Sequence, residues 1–127
     1  MRELEQSERL LAESANFYLI SLYEDVFLYR KSDDEKVCCV GHFYGDPETA
    51  IIDKNEKFCI AVGCGYIVYK FKEPFMDYNY VEDSDQWFEG GSHPDNTEWI
   101  VNVKQLNDNE VVLIRDNRSE RVLTIEG

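Results

Sequence analysis

The apolar positions at the start of the chain follow a helical spacing. Leu4, Leu11, Ala15 and Tyr18 succeed one another at intervals of seven, four and three residues, which draws one stripe along a helix. Glutamates early in this segment would complement the positive end of a helix dipole. The pattern predicts a helix from about residue 2 to residue 15, and we expect its apolar stripe to pack on a sheet.

After the predicted helix, the chain reads as short strands separated by polar turns. Runs rich in aromatic and β-branched residues alternate with clusters of Gly, Pro, Asn, Asp and Ser, which is typical of antiparallel meanders. Strands are predicted from about residue 17 to 71 and again from 99 to 126, Glu110–Arg115 among them. Between Trp99 and Lys104, the apolar side chains at odd positions, Val101 and Val103 included, predict one buried and one solvated face.

These elements predict a single domain that covers residues 1–127. Its length agrees with the usual size of one domain, about 100–200 residues. No stretch has the alternating pattern of a βαβ crossover. The expected fold class is α+β, mainly antiparallel β, with the N-terminal helix packed on a meandering sheet of about seven or eight short strands.

Residues 73–98 interrupt this regular pattern. They mix turn residues, acids and large aromatics without clean alternation. Loops longer than about 12–15 residues are uncommon in compact domains and are usually functional or disordered. The aromatic content argues against disorder. The sequence therefore predicts an ordered functional loop over this range.

The composition is strongly acidic, with 26 acidic and 13 basic side chains and a formal net charge of −13. Direct binding to nucleic acid or to an anionic membrane is disfavoured, because neutralising phosphates requires clustered Lys and Arg. The charge could simply maintain solubility, or it could steer the protein toward a basic partner. No apolar run is long enough to cross a bilayer. The charged N-terminus lacks the features of a signal peptide, so we expect a cytoplasmic protein.

The acidic, aromatic stretch is the strongest candidate site. No Lys or Arg lies between Lys72 and Lys104. Aromatic side chains are typical interface anchors, and acids around them attract a basic surface, so the carboxylates could imitate the phosphates of a nucleic acid. The alternative is an acidic loop kept soluble by its charges, with its aromatics in the core. The predicted partner-binding residues are Asp77, Tyr78, Tyr80, Glu82, Asp83, Asp85, Trp87, Phe88 and Glu89.

Two weaker motifs could carry chemistry. His42 and Asp46 lie four residues apart across a turn and could form a general acid–base pair, but no nucleophile accompanies them. The run Glu82–Asp85 resembles a loose calcium-binding stretch but lacks the spacing of an EF-hand loop. We therefore expect no catalytic residues and no metal site.

The cysteines are expected to be buried, reduced thiols. Cys38, Cys39, Cys59 and Cys64 contain no Cys-x-x-Cys pair, which leaves a zinc site with His42 as the less favoured alternative. The glycines on either side of Cys64 predict a tight turn with positive φ. Nothing in these motifs calls for a cofactor.

The profile of the chain resembles the immunity proteins of bacterial polymorphic toxin systems, contact-dependent growth inhibition systems included. The likeness lies in the acidic charge, the size, the meandering strands and the stretches Phe43–Asp53 and Gly63–Tyr69. It implies a one-to-one complex with a basic toxin domain, often a nuclease, whose active site or substrate-binding face the protein blocks. The alternative function is a small-ligand-binding or regulatory β domain, in which residues 73–98 form a lid over a pocket.

Overall fold

The computed structural model describes residues 1–92 and 96–126, and these residues form strands and connections without a helix. Since they contain no helix, they contain none that is long and apolar enough to cross a membrane. The strands are β1 (Glu8–Glu13), β2 (Phe17–Leu22), β3 (Asp25–Arg30), β4 (Lys36–His42), β5 (Thr49–Ile52), β6 (Phe58–Gly63), β7 (Gly65–Lys70), β8 (Trp87–Gly90), β9 (Ile100–Gln105), β10 (Glu110–Arg115) and β11 (Glu120–Thr124).

The predicted α+β class and its N-terminal helix over residues 2–15 are wrong, because this part of the chain contains β1. A bulge explains the misleading spacing: Leu10 pairs with Ile20 and Ala12 pairs with Leu19, which leaves Leu11 as the extra residue. Leu10 packs on the outer face of the sheet, whereas Leu11 and Ala12 pack on the inner core. Because Leu10, Leu11 and Ala12 are all apolar, this stretch lacks the alternation of apolar and polar positions that predicts a strand.

The strands form three antiparallel sheets. The first sheet has the order β1-β2-β3-β4, the middle sheet β5-β6-β7-β8, and the third sheet β11-β10-β9. All pairings are antiparallel between strands that follow one another in the chain, which confirms the predicted meanders. The fold is therefore all-β, with eleven strands among the described residues in place of the expected seven or eight.

The middle sheet is covered on both faces. On β6, Cys59 and Ala61 face the core shared with the first sheet, and Phe58, Ile60 and Val62 face the core shared with the third sheet. All residues of β6 are buried. Because both faces lie in apolar surroundings, this strand reads in the sequence as a continuous apolar run.

The turn between β6 and β7 is as tight as its glycines predict. Gly65 has a φ of 81°, and a Cβ atom there would lie 2.4 Å from the carbonyl oxygen of Gly90. Only glycine avoids this clash. Cys64, between the two strands, is buried and unoxidised, and it forms an isolated bridge with Trp99.

The third sheet departs from the expected alternation at its first strand. Asn102 pairs with Ile114, and Ile100 pairs with Arg115, so Val101 is an extra residue. Ile100 and Val103 are buried, while Val101 is 38% exposed. The prediction that Val101 shares the buried face of β9 is wrong, because the bulge shifts the side-chain alternation by one position.

The segment before β1 covers the outer face of the first sheet. Leu4 packs on the cluster of Tyr18, Ile20 and Tyr29. Arg2 donates two hydrogen bonds to the carboxylate of Glu8, at 3.0 and 2.6 Å, and one to the Tyr29 hydroxyl. The guanidinium holds the pKa of Glu8 below its ordinary value. These contacts fix the segment without helical structure.

Candidate functional site

The predicted functional loop is a connecting segment followed by a strand. Residues 71–86, called the connecting segment here, join β7 to β8, and β8 itself lies inside the range that the sequence marked as a loop. The segment runs along the edge of β4. The Tyr78 N–H donates to the Cys39 carbonyl at 2.9 Å, and the Cys39 N–H donates to the Asp77 carboxylate at 2.8 Å. The connecting segment thus hydrogen-bonds to β4, one of the two edge strands of the first sheet.

Gln86 holds the two ends of the connecting segment together. Its side chain is 3% exposed, and its amide nitrogen donates to the carbonyls of Lys72 and Pro74 at 2.9 and 3.2 Å. Its amide oxygen accepts a hydrogen bond from the Met76 N–H at 3.3 Å. One buried amide therefore satisfies several backbone groups that the irregular chain would otherwise leave unpaired.

Two of the predicted aromatic anchors are part of the core. Trp87 is 7% exposed and stacks on Tyr69, with ring centroids 6.1 Å apart and an interplanar angle of 13°. Tyr78 is 8% exposed and meets Trp87 edge to face at 5.5 Å. Phe88 points the opposite way, because neighbouring residues of a strand alternate, and is half-buried against Tyr66. The rings of Tyr78 and Trp87 thus pack together in the core and hold the connecting segment against it.

Tyr78 also carries a hydrogen bond toward the surface. Its hydroxyl donates to the carboxylate of Glu89 at 2.7 Å. Burial raises the pKa of the Tyr78 hydroxyl, and the hydrogen bond to Glu89 raises it further, so Tyr78 remains a neutral donor. The exposed carboxylate of Glu89 is held in place by this contact.

The exposed part of the connecting segment combines apolar and acidic side chains. We call residues 76–85 the acidic tip. Within it, Tyr80 is 73% exposed, Val81 72% and Met76 56%. The side chains of Glu82 and Asp83 are exposed as well, and no hydrogen bond or ion pair joins their carboxylates to another residue within 1–92 or 96–126. Large apolar groups and unpaired acids therefore lie side by side.

Local hydrogen bonds shape the acidic tip. The side-chain oxygen of Asn79 accepts from the Val81 N–H at 3.0 Å, and the Asn79 carbonyl accepts from the Glu82 N–H at 3.2 Å. This turn is the kind that Asn side chains stabilise. Asp85 ends the tip in an ion pair with Lys72 at 2.9 Å, which lowers the pKa of Asp85.

The structure therefore divides the predicted partner-binding residues. Tyr78 and Trp87 lie in the core, and Phe88 is half-buried on the far side of the middle sheet. Asp77, Asp85 and Glu89 are exposed but hold other parts of the chain. Tyr80, Glu82 and Asp83 are exposed, and no side-chain hydrogen bond or ion pair of theirs is seen within the described ranges. Residues 93–95 of the predicted loop lie outside the described residues.

The sequence interpretation missed two apolar members of the acidic tip. Met76 and Val81 were not among the predicted contacts, although both are more than half exposed. The sequence itself could have indicated that Val81 is exposed. Val81 lies between Tyr80 and the acids Glu82 and Asp83, and the residue two positions after it is not apolar, so it does not continue an alternating strand pattern. Two adjacent apolar residues in an acidic run, without further apolar residues at helix or strand spacing, do not predict a buried face.

The weaker motifs do not assemble into a reactive site. His42 Nδ1 lies 2.7 Å from the carboxylate of Asp25, and both side chains are about half exposed, whereas Asp46 is exposed on the following turn. Cys38 is buried, and burial raises the pKa of its thiol to about 12. Within the described ranges, no group of three or more His, Cys, Asp or Glu residues is arranged to hold a metal ion.

No protein-family model matches the chain, and a search of curated proteins finds none significantly similar to it.

Proposed function

We propose that this chain is an immunity protein that binds a basic toxin domain, a nuclease in the first instance, and neutralises it by covering the active site or the substrate-binding face. The acidic tip would make the contact in the cytoplasm, with no cofactor. The observation that carries the proposal is the exposure of Tyr80 and Val81 at 73% and 72%, next to the unpaired carboxylates of Glu82 and Asp83.

Large apolar side chains such as those of Tyr80 and Val81 are more favourably placed in an interface than in contact with water. Single apolar residues on a surface are ordinary, but Tyr80 and Val81 are adjacent on one turn. Interfaces place aromatic anchors at the centre and polar groups at the rim, where charges raise the association rate. Carboxylates around an aromatic ring can occupy a basic cleft in the way that a phosphate and its base would.

The packed rings of Tyr78 and Trp87 support the proposal in a second way. Trp87 and Tyr78 cannot be the anchors, but together with Gln86 they hold the base of the connecting segment. A contact loop that is ordered before binding loses less conformational entropy on association. We therefore assign the anchoring role to Tyr80 and Val81 and the supporting role to Trp87 and Tyr78.

The test starts from the toxin gene that would lie immediately upstream of this one. Co-expression of the two proteins should protect cells from the toxin domain, and the purified pair should form a one-to-one complex. Tyr80→Ala combined with Val81→Ala should raise the dissociation constant by at least about thirtyfold, since an anchor is worth about 2 kcal/mol or more. The loss should come from faster dissociation.

The acids are tested separately. Glu82→Gln with Asp83→Asn should slow association at low salt and leave dissociation nearly unchanged. The matched controls are Tyr44→Ala, at another tyrosine that is 87% exposed, and Asp116→Asn with Glu120→Gln, two exposed acids in the turn after β10 and at the start of β11. Binding that responds equally to the controls would remove the acidic tip as the contact. A complex that forms without protecting cells would remove the immunity function.

A further inference from the structure

β11 is an edge strand whose backbone is bonded on one side. The order β11-β10-β9 of the third sheet gives it β10 as its neighbour. The Arg115 N–H donates to the Ser119 carbonyl at 2.9 Å, and the Ile125 N–H donates to the Asn109 carbonyl at 2.6 Å. Because bonded positions alternate along an antiparallel pair, the odd-numbered residues of β11 bond to β10, and the even-numbered residues point their N–H and C=O groups away from it.

The outward-pointing groups of β11 are open to solvent. They belong to Glu120, Val122 and Thr124, which are all exposed, and Val122 at the centre of the strand is 54% exposed. Within residues 1–92 and 96–126, no hydrogen bond from another residue reaches these backbone groups on the open side. A row of free donors and acceptors on an edge is a template for pairing with a further strand.

The other sheet edges of the described chain carry features that hinder such pairing. β1, β4 and β9 each contain a shift in register, and β5 and β8 have only four residues. Bulges and short strands are ways in which natural sheets keep their edges from pairing with another molecule. β11 has five residues, a regular register with β10, and neither proline nor lysine. Among these edges, β11 is therefore the one best able to accept a strand.

The charge around β11 permits the approach of a second copy. Residues 99–127, which include the third sheet, carry five acidic and four basic side chains, a net charge of −1. Residues 1–98 therefore carry −12 of the formal charge of −13. Like charges that meet at an interface oppose association. Two copies thus repel each other least where their third sheets meet.

The sequence of β11 is also complementary to itself. When two copies run antiparallel with Val122 opposite Val122, Glu120 of each lies opposite Thr124 of the other, where the threonine hydroxyl can donate to the carboxylate. The outward-pointing residues of one β11 then all exchange hydrogen bonds with those of the other. A register shifted by two residues would instead place Arg121 opposite Arg121, and like charges directly opposite each other are unfavourable.

We propose that two copies of this chain pair antiparallel through β11 about a two-fold axis, which joins their third sheets into one continuous sheet. Val112 pairs with Val122 within each copy, so these valines of both copies form one row across the joined sheet. Edge pairing buries a small area, and interfaces of this kind are transient, so the dimer exchanges with the monomer and grows with protein concentration. The acidic tip remains accessible in both copies, because residues 76–85 lie outside the third sheet.

Sedimentation velocity of the full chain, over about a hundredfold range of protein concentration, measures the dimer. The mean mass should rise from monomer toward dimer, and sodium chloride should strengthen the dimer because it screens the repulsion between two acidic chains. Deuterium exchange locates the contact: the amides of Glu120, Val122 and Thr124 should be protected increasingly with concentration, while those of Arg121 and Leu123 are already bonded to β10 in the monomer.

Variants at the two-fold axis test the register. Val122→Lys and Val122→Glu each place like charges opposite one another and should raise the dissociation constant of the dimer at least about tenfold. A mixture of the two variants should dimerise again, because Lys then lies opposite Glu. Leu106→Lys is the matched control, at an apolar residue that is also 54% exposed but lies outside β11, and it should dimerise like the unmodified chain.

Amide spectra of the dilute variants establish that each monomer is folded. A mass that stays monomeric at every concentration would overturn the self-pairing, and so would a dimer that survives Val122→Lys. A mixture that associates no better than its components would overturn the register. Protection of the β11 amides that arises only in the complex with a toxin domain would assign this edge to the toxin and overturn the pairing of two copies.

Discussion

At the scale of single residues, a few polar side chains hold the irregular parts of the chain. Gln86 bonds to the backbone of the connecting segment, and Asp53 does the same at the turn between β5 and β6. Asp53 is fully buried, and its carboxylate accepts hydrogen bonds from the Lys57 N–H at 3.0 Å and the Gln105 amide at 2.6 Å. Such residues decide loop geometry although they make up little of the core.

Replacing Gln86 tests this role. Gln86→Met keeps the size of the side chain but leaves the carbonyls of Lys72 and Pro74 and the Met76 N–H without their partner. The free energy of unfolding should fall by about 1–2 kcal/mol, because three part-buried backbone groups lose their hydrogen-bond partner. Urea denaturation measures the change. Gln6→Met, the same substitution at an exposed position, should change stability by less than about 0.5 kcal/mol.

Glu56 gives a prediction about pH. Burial acts to raise the pKa of Glu56, but hydrogen bonds from Ser14 and Asn16 outweigh it and hold the pKa below its ordinary value of 4.5. A lowered pKa means that the stabilisation is complete above pH 4.5 and is lost as the pH falls through the folded value. Glu56→Gln should therefore lower the free energy of unfolding by about 1–2 kcal/mol at pH 7.

The difference between this variant and the unmodified protein should shrink as denaturation is repeated from pH 5 to pH 3. Glu3→Gln, at an exposed glutamate, serves as the control. A difference that stays constant across this range would mean that Glu56 acts through packing and not through its charge.

The sequence shows which residues of the acidic run are aromatic, but it does not show which of them are buried and which are exposed. Trp87 and Tyr80 stand in the same acidic run, yet Trp87 is 7% and Tyr80 73% exposed. The difference arises because Trp87 begins a strand that pairs with β7, whereas Tyr80 lies on the turn that Asn79 stabilises. Composition reports which residues could anchor a partner, and only tertiary pairing decides which of them remain accessible.

At the scale of elements, most strands were predictable, and bulges explain the two errors of element type and face. Glu110–Arg115 was predicted with its observed bounds, since a compact apolar run lies between two polar turns. β1 was mistaken for a helix, and Val101 was assigned to the wrong face, because one extra residue in each strand breaks the period of two. β8 has only four residues, one of them the acid Glu89, so its pattern was too short to detect.

The layer position of a strand should decide how much its side chains contribute. Val68, on β7, is fully buried, and Val122, on β11, is 54% exposed. Val68→Ala should lower the free energy of unfolding by about 2 kcal/mol, because it removes buried methyl groups and leaves a cavity. Val122→Ala is the matched control and should cost less than about 0.5 kcal/mol. Equal effects in thermal or urea denaturation would contradict the three-layer packing.

At the scale of the whole molecule, the net charge of −13 acts on stability as well as on binding. Like charges repel in the compact state, and at 0.1 M salt the repulsion between charges more than about 10 Å apart is largely screened. The free energy of unfolding should therefore rise as sodium chloride is increased from low to physiological concentration. Glu82→Gln with Asp83→Asn carries two negative charges fewer and should show a smaller rise. A fall in stability with salt would indicate that the ion pairs outweigh the repulsion.

The burial of the middle sheet on both faces has a consequence for amide hydrogen exchange. The amide protons of β6 and β7 are covered by the first sheet on one side and by the third sheet on the other, so they should exchange with deuterium only when the whole molecule unfolds. β11, at the edge of the third sheet with alternating exposed residues, should exchange through local opening. The rate of the slowest amides would then give the global free energy of unfolding without any denaturant.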